Sequence, residues 1–122
     1  MNGLILFAHG ARDPRWAVPF ERLQALTQAQ RPDWQVALAF LELMTPNLPD
    51  AAAQMVETGV TQITIAPLFL GPGGHLRNDF PLLLDDLRTR YPQLLFTTLP
   101  ALGESETLLA AIASWLTGSL PG

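Results

Sequence analysis

The chain carries two histidines, and each stands just past a short apolar run. His9 follows Gly3–Ala8 (GLILFA) within AHGARDP. His75 follows Ile63–Leu70 within PLFLGPGGHLRNDFP. Imidazole suits borderline divalent metals such as Fe, Co, Ni and Zn, and with a pKa of about 6.5 it can also accept a proton near neutrality, although not while protonated. There is no cysteine, which removes thiolate metal sites, a disulfide framework and a cysteine nucleophile. Two imidazoles without thiolates make a poor closed structural site. An ion held here would be held incompletely, with its remaining ligands drawn from water, from Glu42 or from a substrate's own nitrogens. Each histidine also has a plainer reading, His9 as a strand-end residue bonded to backbone and His75 as a polar residue leading a helix.

Guanidinium groups cluster near both imidazoles. All seven cations of the chain are arginine, and Arg12, Arg15 and Arg77 lie within a few residues of a histidine. Such groups bind carboxylates in a planar, two-pronged fashion, or they are solvated loop residues. The segment Gly71-Pro72-Gly73-Gly74 breaks any regular element. It is not GxxxxGK[ST], no GxGxxG follows the first strand, and Pro72 lacks an N–H that a phosphate cradle would use. Nucleotide binding therefore ranks low. Ala8-His9-Gly10 lacks the arginine of the Arg-His-Gly signature of phosphohistidine phosphatases. Ser105 and Ser114 read as a helix cap and a helix surface residue.

The elements that must position these groups alternate. Gly3–Ala8 reads as a strand buried on both faces. A helix over 15–30 follows, with Trp16, Phe20, Leu23 and Leu26 on one face and Pro19 near its first turn. Gln35–Leu41 is the second strand, with Glu42 at its C-terminal end. Thr45-Pro46 reads as N-cap and first helical residue of a helix that runs to Glu57 and closes at Thr58-Gly59. Gln62–Pro67 is the third strand. A helix from Asp79 or Phe80 to Arg90 places Leu83, Leu84, Leu87 and Tyr91 on one side. Leu94–Thr98 is the fourth strand, and a last helix over 104–116 aligns Leu108, Leu109, Ile112, Trp115 and Leu116. The order β-α-β-α-β-α-β-α predicts one small three-layer α/β domain spanning 1–122, a four-stranded parallel sheet with right-handed crossovers and helices on both faces. The strand order 2-1-3-4 makes strands 1 and 3 neighbours, and ligands of such sheets bind beyond the strand C-termini where the order reverses. His9 and His75 then face one crevice.

Composition narrows the partners. At 122 residues the chain is long enough for a core without staples. Its net charge of −4 argues against nucleic acid and anionic membranes. No apolar run approaches the roughly 20 residues of a membrane helix, and the N-terminus shows no signal-peptide pattern, so a cytoplasmic location is expected.

AHGARDP at 8–14, FLELMTP at 40–46 and PLFLGPGGHLRNDFP at 67–81 together resemble the short sirohydrochlorin chelatases of the CbiX/SirB type. The family has HGS more often than the HGA found here. The resemblance implies a chelatase-like domain, a lyase that inserts Co2+, Fe2+ or Ni2+ into sirohydrochlorin for cobalamin, siroheme or a nickel cofactor, with no tightly bound cofactor and the metal as co-substrate. It implies His9 and His75 as the metal-binding, catalytic histidines and Glu42 as a further acidic residue that orients a histidine or relays protons. Short relatives resemble one half of tandem-domain ones and pair as homodimers. Arg12, Arg15 and Arg77 are expected to clamp the carboxylate rim of the macrocycle, while the loop with Gly73 and Gly74 lets the planar ring in and out. Three other readings stand beside this one: a non-catalytic tetrapyrrole or metal carrier on the same fold, a phosphatase using His9, and an interaction module in which the histidines are incidental.

Overall fold

The computed structural model describes residues 1–71 and 74–122, and the side chains of all of these except 74–77. Four parallel strands, β1 (Asn2–Ala8), β2 (Trp34–Phe40), β3 (Gln62–Pro67) and β4 (Leu95–Thr98), form one sheet in the order β2-β1-β3-β4, as the alternation of elements predicted. β1 lies inside the sheet because it is apolar from Gly3 onward, and Ile5, Phe7 and Ala8 are fully buried. Its alternate residues face opposite sides. Ile5 and Phe7 join Ile63, Ile65 and Phe96 under α2 (Leu48–Glu57) and α3 (Gly74–Arg90). Leu6 and Ala8 join Val36, Leu38 and Phe40 on the other side, beside a 3-10 turn (Pro14–Ala17) and α1 (Val18–Gln30).

Several boundaries differ from expectation, each for a local reason. Thr45-Pro46 does not start α2. Asn47 is the cap, its side-chain oxygen accepting from the Asp50 N–H at 2.9 Å, and Pro49 occupies the first turn. α3 begins at Gly74 rather than near Phe80, so Pro81 lies inside the helix, where it withholds one N–H from the ladder. The last helix, α4 (Glu106–Ser119), starts later than expected because a second 3-10 turn (Leu102–Glu104) precedes it. Ser105 caps α4, accepting from the Leu108 N–H at 3.2 Å.

The face of α1 is a larger departure. Leu23 and Leu26 are exposed, and the side turned to the sheet carries Gln24 and Gln28 instead. The cause is the open edge of β2. Gln24 donates to the Val36 carbonyl at 3.2 Å and Gln28 to the Trp34 carbonyl at 2.7 Å, while the Val36 N–H donates back to the Gln28 side-chain oxygen at 3.0 Å. The Phe40 N–H, on the same edge, donates to the Pro46 carbonyl at 2.9 Å. At Trp34, Val36 and Phe40, backbone groups that a fifth strand would have paired are thus answered by amide side chains and a loop.

α4 buries none of its residues. Its apolar stripe is only half covered at Leu108 and Ile112 and open at Leu109, Trp115 and Leu116. On the α1 side of the sheet, over β3 and β4, Thr64 is half-buried and Leu95 and Thr97 are exposed. Helices flank both sides of the sheet, but on this side the cover is partial.

Candidate functional site

The C-terminal ends of β1 and β2 build the first half of the site. Their pairing continues past the strands: the Leu41 N–H donates to the Ala8 carbonyl at 2.9 Å and the Glu42 N–H to the His9 carbonyl at 3.1 Å. This brings the His9 Nε2 and Glu42 Oε1 atoms to 4.0 Å with about half of each side chain open to solvent. The gap is too long for a hydrogen bond. One bridging water could span it, whereas two ligands of a single tetrahedral ion, at bond lengths of about 2.0–2.2 Å, stand roughly 3.4 Å apart, so the pair would close by about half an ångström to share an ion.

Gly10 makes the approach possible. It has φ +99°, and a Cβ added there would lie 1.8 Å from the Glu42 carbonyl oxygen. That oxygen also accepts the Met44 N–H at 2.8 Å across Leu43, whose φ is +65°. Glycine is required at position 10 both by conformation and by space.

β3 supplies the wall. The Leu68 N–H donates to the Phe7 carbonyl at 2.8 Å, carrying the sheet one step further, and Phe69 is buried behind it. The Phe69 ring meets the His9 imidazole edge to face, with centroids 5.7 Å apart and planes at 87°. Phe69 is fixed in turn against Phe7 at 5.7 Å and 81°, and Phe7 stacks on Phe80 of α3 at 5.7 Å. A chain of rings anchored in the core therefore sets the plane of the imidazole. Gly103 holds the next residue from behind: a Cβ there would lie 1.6 Å from the Leu70 carbonyl oxygen.

The other expected site residues divide into two groups. Arg12 is exposed and lines a cavity of about 650 Å3 beside β2, together with Ala11, Glu21, Gln24, Leu43 and Met44. Arg15 is engaged locally: its Nε and Nη2 donate to the Asp13 carboxylate at 3.1 and 2.6 Å, and the same carboxylate accepts the Arg15 backbone N–H at 2.9 Å. The Arg15 guanidinium beside Asp13 holds that carboxyl below the usual carboxylate range. To bind a ligand carboxylate, Arg15 would have to leave this partner. Gly73 lies outside the described residues, as do the side chains of His75 and Arg77; Gly74 opens α3, so His75 and Arg77 fall in its first turn by sequence. Among the described residues no group of three or more His, Cys, Asp or Glu comes together, and no helix is long and apolar enough to cross a membrane.

Reading the sequence for reactive groups passed over three residues that shape this site: Gly10, Leu43 and Phe69. The glycine beside His9 and the aromatic one residue past β3 were visible signals. The left-handed turn at Leu43 had none, since leucine rarely adopts that conformation.

Residues 3–118 match the CbiX family model. The sirohydrochlorin cobaltochelatase of Methanococcoides burtonii is 32% identical over 82 residues, covering 67% of this chain and 63% of the relative. The chloroplastic sirohydrochlorin ferrochelatase of Arabidopsis thaliana is 26% identical over 111 residues, covering 91% of this chain and 49% of the relative. The chain thus spans less than two thirds of the length of these curated relatives. Among solved structures, a CbiX protein from Marinobacter aquaeolei VT8, named for cobalamin (vitamin B12) biosynthesis, superposes with a TM-score of 0.85 at 31% identity, covering 97% of this chain and 96% of that one.

Proposed function

The chain belongs to the CbiX family, and from that premise we propose that it inserts a divalent metal, Co2+ or Fe2+ and with them Ni2+, into sirohydrochlorin. The observation that carries this reading is the His9–Glu42 pair, 4.0 Å apart and open to solvent at the strand ends. Relatives named as cobaltochelatases and a ferrochelatase support the substrate and, of the metals, Co2+ and Fe2+.

In this reading His9 and His75 hold the incoming ion on one face of the macrocycle. His75 is assigned from topology: β3 neighbours β1, and the segment after β3 leads into the helix that carries it. The ion is substrate and leaves within the product. The ring must lose two N–H protons as the metal enters. An imidazole in its neutral form can accept one, and Glu42, within a water's reach of His9, can pass it to solvent. Phe69 keeps the imidazole plane fixed while ligands exchange. Arg12, with Arg77, binds rim carboxylates, and Gly73 and Gly74 contact the ring. The 122 residues act as one domain.

The test is anaerobic incubation with sirohydrochlorin and Co2+, Fe2+ or Ni2+, following the visible spectrum of the ring. Turnover with at least one metal is the expected result. Tight ring binding without turnover would replace insertion by carriage.

We further propose that the working form is a homodimer in which α4 packs against a second copy. Its supports are the uncovered stripe of Leu109, Trp115 and Leu116, and the exposed Leu23, Leu26 and Leu95 on the partly covered side of the sheet. Trp115→Glu is expected to convert a dimer to a monomer in light scattering at micromolar concentration, because a carboxylate in that contact would be desolvated without a partner. A wild-type chain that is monomeric at 100 µM would overturn the dimer.

A further inference from the structure

Leu43 is the one non-glycine residue with positive φ among the described residues, at +65°. The Met44 N–H reaches back to the Glu42 carbonyl at 2.8 Å, which makes Leu43 the centre of a three-residue γ-turn of the rare, strained kind. Its side chain is 60% exposed. Leucine suits neither condition. Glycine or asparagine would take this backbone at lower cost, and an exposed leucine gains nothing from burial. Strain of this sort clusters at functional sites. The turn is centred directly after Glu42, and its leucine lines the 650 Å3 cavity that Arg12 also lines. Met44, Pro46 and Phe40 continue the apolar side of that cavity.

We propose that Leu43 is a substrate-contacting residue: held out by the γ-turn, its side chain packs on the apolar plane of a polycarboxylate ring while Arg12 takes a carboxylate of the rim. This rests on the reading of the substrate as a macrocycle given above, and adds the residue that recognises its apolar face. The same turn fixes the Glu42 backbone, so ring recognition and the orientation of the acid beside His9 are set by one three-residue device.

The experiment is a titration of sirohydrochlorin, without metal, into wild type, Leu43→Asn and Leu43→Met, followed by absorbance, with melting temperatures measured alongside. Asparagine is among the non-glycine residues most often found at positive φ, so the melting temperature of Leu43→Asn should stay close to that of wild type. Its Kd for the ring should rise by about tenfold, the scale expected for removing one apolar contact. Leu43→Met, which keeps an apolar side chain, should stay within about twofold. A Leu43→Asn protein that binds the ring like wild type overturns this proposal and leaves the chelatase reading intact. A wild type that does not bind sirohydrochlorin overturns both. Should Leu43→Asn fail to fold, Leu43→Ala decides in the same titration by the same criterion.

Discussion

His9→Ala should lower the rate of metal insertion by at least two orders of magnitude while leaving the fold in place. The size follows from the two tasks assigned to the imidazole, ligand and proton acceptor, since a positioned general base alone contributes roughly 10²–10⁴-fold. The fold should survive because what His9 gives to structure is mostly backbone: its carbonyl accepts from the Glu42 N–H, and alanine keeps that bond. The half-exposed side chain gives up only its edge contact with Phe69, a contribution of about 0.5–1.5 kcal/mol at most. Insertion kinetics and circular dichroism on the same preparation check both halves. A variant that kept most of the wild-type rate would remove His9 as a required ligand or base. His9→Gln, which can still accept a hydrogen bond but does not replace imidazole as a base, should resemble alanine in rate.

Gly10→Ala should be strongly destabilising. The new Cβ would stand 1.8 Å from the Glu42 carbonyl oxygen at a φ of +99°. That oxygen cannot retreat freely, because it accepts the Met44 N–H while its own residue donates to the His9 carbonyl. Relief must come from parting the ends of β1 and β2. We expect a loss of about 2–4 kcal/mol in unfolding free energy, combining backbone strain with overpacking, together with loss of insertion as His9 and Glu42 separate. Gly59→Ala is the control. Gly59 also has positive φ, at +90°, but a Cβ there meets nothing within 4 Å, so only the conformational cost of about 1–2 kcal/mol remains. Urea denaturation of the three proteins measures the difference. Equal losses at positions 10 and 59 would mean that the contact with Glu42 carries no weight.

The sheet order was legible because it needed only the alternation of apolar runs with helical periodicity, and β3 matched residue for residue at Gln62–Pro67. Helix starts were less legible. Two prolines close together, Pro46 and Pro49, both satisfy the rule for a first turn, and only the side chain of Asn47 decides between them. The inner face of α1 could not be read from hydrophobicity at all. Leu23 and Leu26 look like core residues by spacing, yet what that helix must supply is hydrogen-bond partners for an open strand edge, a demand that arises from tertiary position alone. The site shows the same division. His9 and Glu42 were visible as residue types at strand ends, and their 4.0 Å approach follows from pairing of β1 with β2. The ring chain through Phe69 and the turn at Leu43 depend on packing and on one dihedral angle, which residue type does not report.

The amides of Gln24 and Gln28 have a consequence for how many copies of this chain can join. A sheet with two open edges can be extended at both, and repeated head-to-tail addition then builds a fibre. Here the β2 margin is occupied along Trp34 and Val36 by side chains of its own helix and at Phe40 by its own loop. The β4 margin, four residues long, is engaged as well, the Phe96 carbonyl accepting from Arg88 Nη2 at 3.3 Å. With side chains of adjacent helices set against both margins, edge-to-edge growth is discouraged and joining of copies is left to helix faces such as that of α4, so the glutamines act as guards against fibre growth.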